Sequence, residues 1–198
     1  MSHFPDIITL KTPPKLKEAL QDIDLFEALC RHNDAFQLEK DHKGNIIIMP
    51  PTYSETGHYN SEIAAEVIIW NRKTKAGVVF DSSTGFTLPN GAVRSPDVSW
   101  VNLTRWQALS PKQKNSFAPI CPDFVIELLS STDTLNTLHE KMEEWIANGC
   151  RLGWLIDLKN QLTYIYQPHS PVTTTPFNQP LSGSEVLPGF ELILSRLP

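Results

Sequence analysis

Between Asp123 and Asp157 the chain alternates an apolar block, an amphipathic stretch and a second apolar block, and no other stretch restricts its fold as much. "DFVIELL" at 123–129 reads as a buried strand. In "SSTDTLNTLHEKMEEWIANG" the residues Leu135, Leu138, Met142, Trp145 and Ile146 form one helical stripe, and "RLGWLID" at 151–157 returns to strand character. A strand–helix–strand unit fits a right-handed crossover, which makes the two strands parallel neighbours in one sheet. Ser131, Thr132 or Asp133 is expected to cap the helix, and Gly149 to end it. The anomaly is Glu127, set among Val125, Ile126, Leu128 and Leu129. A buried carboxylate must be protonated, paired with a cation such as Arg94, or bound to a metal.

The remaining elements point to a mixed sheet with helices around it. Leu16, Leu20, Ile23, Phe26 and Leu29 predict an amphipathic helix over 15–29, and "FQLEKDHKGNIIIMP" predicts a hairpin closed by Pro50 and Pro51. A second helix is expected from His58 to about Thr74, released by Gly77. "VVFDSSTGFTLPNGAVRSPDVSWV" predicts two or three strands, with a turn at 89–91 and the last strand near Asp97–Val101. A looser stretch runs to Pro122. Beyond the crossover come a strand pair around Lys159 and Asn160 and a last short strand or helical turn. The expected class is α/β or α+β, with an N-terminal helix and entry hairpin at 1–44 ahead of a core at 45–198.

Composition narrows the chemistry. A net charge of −5 argues against gripping nucleic acid through a general basic field, while leaving room for a local cleft or metal-mediated phosphate contact. No run approaches the roughly 18 apolar residues of a membrane span, and the start lacks a secretory layout, so a soluble cytoplasmic protein is expected. Cys30, Cys121 and Cys150 have no paired spacing and read as small buried hydrophobes. His139 has no histidine four residues on, so zinc chemistry is not expected, and no phosphate-cradling or serine-hydrolase motif occurs.

A second acid supplies the chemistry Glu127 requires. Asp97 follows Pro96 at the start of another predicted strand, and adjacent strands bring both carboxylates to one edge. At about 4 Å and an effective dielectric near 20, two such charges repel by roughly 4 kcal/mol, so the pair must share a proton or hold a cation. Magnesium suits such a site, because it takes one or two carboxylates and leaves positions for water and phosphate. Lys141 lies at the margin of the helical stripe, where its stem can run along the core and its ammonium reach the sheet end.

Pro96-Asp97, Glu127 and a following lysine resemble the PD-(D/E)xK nuclease superfamily with its restriction-endonuclease-like fold. The phrases "FDSSTGFTLPNGAVRSPDVSWV", "CPDFVIELLS" and "EKMEEWIANGCRLGWLID" are similar to a bacterial family of candidate endonucleases within it, formerly catalogued as a domain of unknown function. The likeness covers about residues 45–195. It implies a mixed sheet with flanking helices, DNA as substrate, and phosphodiester hydrolysis dependent on magnesium, with manganese a possible substitute. Asp97, Glu127 and the Leu128 carbonyl are the implied metal ligands; Lys141 completes the catalytic set with Asp97 and Glu127. The superfamily lysine normally stands two residues after the acid, where this chain has Leu129; the family places it on the following helix, at Lys141. Glu55 or Glu62 is a candidate extra carboxylate, and a homodimer would suit cutting both strands.

Other readings stand beside this one. A catalytically silent nucleic-acid-binding or interaction module could keep the same fold, and a metal could serve structure alone. Arg72, Lys73 and Lys75 read as cations at a helix end before they read as a DNA track. Trp70, Trp100, Trp106, Trp145 and Trp154 read as packing.

Overall fold

The computed structural model describes residues 8–130 and 133–197. Its centre is a six-stranded mixed sheet. Strands β4 (Gly77–Phe80), β7 (Val98–Asn102), β8 (Phe124–Leu129), β9 (Leu152–Asp157), β10 (Leu162–Tyr166) and β11 (Thr173–Pro176) lie in the spatial order β11-β10-β9-β8-β7-β4. The expected crossover is present: β8 and β9 pair in parallel from Phe124↔Leu152 to Leu129↔Asp157, joined by helix α6 (Leu135–Ala147). All other pairings in this sheet are antiparallel.

Strand alternation divides β8 between two cores. Phe124, Ile126 and Leu128 face a cluster containing Ile63, Val67 and Trp70 of helix α3 (Ser54–Thr74). Val125 joins the opposite cluster, with Leu138, Met142 and Trp145 of α6. Glu127 shares the parity of Val125 and so lies on the α6 face. The end of the Met142 side chain fills the space beside Gly153 of β9, where a Cβ would stand 2.3 Å from its Cε.

The N-terminal part forms a second, five-stranded antiparallel sheet in the order β1-β3-β2-β6-β5. It comprises β1 (Ile8–Leu10), β2 (Gln37–Lys40), β3 (Ile46–Met49), β5 (Phe86–Thr87) and β6 (Val93–Arg94). The expected hairpin is β2–β3, its loop held by the Asp41 carboxylate, which accepts from the amides of Lys43 and Asn45. β2 pairs with β6 through Lys40↔Val93, and Leu20, Phe26, Ile46 and Val93 share a small core beneath.

Several elements differ from expectation. The first helix is two, α1 (Pro14–Ala19) and α2 (Ile23–His32), because the Asp22 carboxylate caps a new start by accepting from the Asp24 amide. α3 begins four residues earlier than predicted and ends at Lys75 in the left-handed conformation rather than by release at Gly77. The stretch of two or three predicted strands contains four, β4 to β7. The looser stretch after it holds two short helices, α4 (Leu103–Gln107) and α5 (Pro111–Lys114), each started by its own cap, Asn102 or Ser110. α6 is capped by Thr134, whose hydroxyl accepts from the Thr137 amide, whereas Asp133 turns back to Ser130. Ser131 and Thr132 lie outside the described residues. The tail adds a small pair, β12 (Leu181–Ser182) with β13 (Glu191–Leu192), and a final 3₁₀ turn.

Candidate active site

A cleft of about 660 Å³ opens between the N-terminal sheet and the end of the central sheet. Asp97, Glu127, Leu128 and Lys141 all line it. β7 and β8 pair through Val98↔Ile126, and the ladder stops there. Continued by one step, that register sets Asp97 opposite Glu127 at the end of the sheet, where the Asp97 carboxylate reaches toward α3 and Glu127 toward α6. The Asp97 carboxylate occupies the gap: Oδ2 accepts from the Leu128 amide at 2.7 Å and Oδ1 from the Asn60 side-chain amide at 2.9 Å.

Glu127 has two partners, both from α6. The Trp145 indole Nε1–H donates to Oε1 at 2.9 Å, and the Lys141 Nζ lies 3.0 Å from Oε1 and 3.1 Å from Oε2. Lys141 and Trp145 are four residues apart, so one helical face delivers both. The buried acid therefore pairs with Lys141. Arg94, the cation considered for it from sequence, instead binds Glu39 at 3.0 Å and Glu144 at 2.6 Å. Lys141 has further acceptors in Glu39 Oε1 and the Ser95 carbonyl, each at 3.2 Å.

Charge and burial set the protonation of these groups. Burial pushes the Glu127 carboxyl up to about 7; Lys141 opposes the rise, while Asp97 and Glu39 add to it. Asp97 is also raised by burial, against the Leu128 amide, Asn60 and Lys141, and the nearby Asp133 adds to the rise. Burial opposes the charge on Lys141, but Glu127 and Glu39 outweigh it and hold the ammonium above its ordinary range. Burial likewise opposes the charge on Glu39, yet Lys141 and Arg94 keep it below the usual carboxylate range. Asp97, Glu127, Glu39 and Glu144 thus face two fixed cations, Arg94 and Lys141. Fully ionised, the set carries a formal charge of −2.

The other sequence candidates lie elsewhere. Neither Glu55 nor Glu62 lines the cleft; the α3 side chain that reaches Asp97 is Asn60. Arg72, Lys73 and Lys75 are exposed at the far end of α3, roughly 20 Å along the helix from Asn60 at 1.5 Å per residue. Trp70, Trp100, Trp145 and Trp154 are buried, in keeping with packing, although Trp145 also serves Glu127. Cys121 and Cys150 are buried and free, and Cys30 is half-buried. His139 bonds the Tyr166 hydroxyl and packs edge-on to Tyr164. Glu39, Asn60 and the Trp145 N–H were not singled out from sequence as site groups. Glu39 sits on an alternating hairpin strand where an acid is ordinary, and its partners Arg94, Ser95 and Lys141 come from segments far along the chain.

A mixed sheet with a helix on each face and an acidic, lysine-bearing cleft at the strand ends defines a restriction-endonuclease-like protein. Residues 23–195 match the Uma2 family model, described as "Putative restriction endonuclease", and the chain belongs to that family. It is similar to the crystal structure of a "putative nuclease belonging to DUF820" from Anabaena variabilis ATCC 29413, with a TM-score of 0.69 and 19% identity over 81% of this chain and 88% of that one. A comparison with curated proteins finds no match. Among the described residues, no helix is long and apolar enough to cross a membrane.

Proposed function

We propose that this chain is a magnesium-dependent endonuclease that hydrolyses phosphodiester bonds of DNA, with manganese able to replace magnesium. The observation that carries the reading is that Asp97, Glu127 and Lys141, from the approach to β7, from β8 and from α6, line one cleft, with Lys141 paired to Glu127.

The residues present fit a divalent cation. Among the described residues no cluster of three or more His, Cys, Asp or Glu side chains forms a metal cage, but magnesium is ordinarily held by one or two carboxylates with water and phosphate completing its shell. Beside Asp97, the Asn60 Oδ1 is buried with no hydrogen-bond partner, an acceptor placed for a water on such an ion. In an extended strand the N–H and C=O of one residue point to the same side, so the Leu128 carbonyl turns toward Asp97 with its amide. Asp97, Glu127 and the Leu128 carbonyl would hold the metal.

Magnesium, when bound, supplies Lewis acidity toward a phosphoryl oxygen and makes water nucleophilic at neutral pH. Lys141 presents a fixed ammonium whose charge stabilises the negative charge that grows on the phosphoryl oxygens. Water's oxygen bonds to phosphorus as one P–O ester bond breaks; the water loses a proton to solvent and the departing oxygen takes one up, leaving a hydroxyl and a phosphate monoester. The cleft carries eight carboxylate side chains against three from lysine and arginine, so a metal is also what would admit a phosphate there. This counts against silent nucleic-acid binding by the cleft alone. A symmetric pair of chains would place one site on each strand of a duplex.

The test is cleavage of supercoiled plasmid in magnesium. Wild-type protein should nick it, and chelated protein and Asp97→Ala should not. Nicking that survives both the chelator and the substitution contradicts the reading.

A further inference from the structure

We infer that Glu39, delivered by the N-terminal hairpin, is a positioning residue that aims the Lys141 ammonium at the carboxylate pair. This rests on the proposed nuclease reading. Glu39 is 2% exposed, and each of its oxygens is committed: Oε1 accepts from Lys141 at 3.2 Å and from the Ser95 amide at 2.9 Å, and Oε2 accepts from Arg94 at 3.0 Å. Arg94 is held in turn by Glu144 at 2.6 Å, and Glu144 also accepts from the Asn90 side chain at 2.9 Å. The carboxylate is therefore fixed from three sides by β6, the turn after it and α6.

The consequence for Lys141 follows from donor arithmetic. An ammonium has three N–H donors. One goes to Glu39, one to the Ser95 carbonyl, and the third is left for Glu127, whose two oxygens stand 3.0 and 3.1 Å away. A lysine stem has many rotamers, and Glu127 alone would leave it a choice of poses. Two anchors that no substrate need displace leave one donor directed at the acid that would bind metal. The hairpin is thereby part of the site. Glu39 acts through Lys141, which it contacts directly.

Two measurements decide it. In the first, the Lys141 ammonium of full-length protein is followed by lysine side-chain NMR, where a buried ammonium with fixed acceptors gives a slowly exchanging signal. Glu39→Gln should lose or strongly broaden that signal while the backbone spectrum shows the fold retained, with a lower melting temperature because Arg94 and Lys141 lose their shared carboxylate. An unchanged signal overturns the inference, whether or not the protein cuts DNA. In the second, plasmid nicking is compared for Glu39→Gln, Lys141→Ala and the double variant. Glu39→Gln should lower kcat about tenfold or more with KM and manganese affinity little changed, and the double variant should be no slower than Lys141→Ala. Multiplying losses would make Glu39 an independent structural group and sink the positioning role. Loss of nicking in the wild type itself would fail the nuclease reading and leave the NMR result to decide the geometry.

Discussion

The Trp145 indole donates its N–H to the Glu127 carboxylate across 2.9 Å, so a tryptophan at the centre of the α6 core also holds the buried acid of β8. Trp145→Phe removes the donor and also leaves a cavity where the larger indole packed. A hydrogen bond to a charged group contributes about 1.5–3 kcal/mol, and the orphaned carboxylate retains Lys141. The variant should lose at least that much stability, the cavity adding to the lost hydrogen bond, and bind manganese more weakly, both measurable on one preparation.

Glu127 makes stability depend on pH in a direction opposite to most acids. Its carboxyl titrates near 7 in the folded protein against an ordinary value of 4.5, so between these limits the native state keeps a proton that the unfolded chain has released. The contribution is full below about pH 4.5 and is lost as pH rises through 7, amounting to about 3 kcal/mol at 1.36 kcal/mol per pH unit. Glu127→Gln should remove this fall. Denaturation of metal-free wild type and variant at pH 5 and pH 7.5 measures it, and equal pH slopes would contradict it.

Lys141→Ala should lower kcat by roughly a hundredfold to a thousandfold, the scale of other fixed charge stabilisers. It also leaves Glu39 and Glu127 buried without their shared cation, so the metal-free variant should melt well below wild type. Manganese should restore part of the loss, because it replaces positive charge beside Glu127. Thermal melts with and without metal, run beside the nicking assay, separate the two effects.

DNA affinity should depend on divalent metal. With eight acids lining the cleft, the metal-free protein should bind a short duplex weakly, and calcium, which takes oxygen ligands in flexible geometry, should raise affinity at least tenfold. Fluorescence anisotropy with calcium or with chelator tests this. Equal affinity in both would place the phosphate outside the acidic cleft.

The crossover was legible because its signals are local: two β-rich runs and one helical stripe specify β8, α6 and β9, and the parallel pairing follows from handedness. The juxtaposition of Asp97, Glu127 and Lys141 was also anticipated, since strand ends and a helix margin are readable from spacing. Glu39 was not. Its role depends on a hairpin some 90 residues upstream of Glu127 folding over β6, and nothing in "FQLEKD" distinguishes it from a solvated strand acid. Arg94 was offered as Glu127's partner because sequence supplies charges without directions; in the fold it points to Glu39 and Glu144. The split between α1 and α2 escaped for a similar reason, as the apolar stripe runs on through Leu20 while Asp22 caps a fresh start.

On the proposed reading Asp97 and Glu127 together would hold one divalent cation. Calorimetric titration of manganese into metal-free protein at pH 7.5 tests it most directly, with wild type, Asp97→Ala and Glu127→Ala side by side. One saturable site per chain in the wild type, lost in both variants, is the predicted result. No saturable binding in the wild type, or binding undiminished in the variants, would make Glu127 a structural acid neutralised by Lys141.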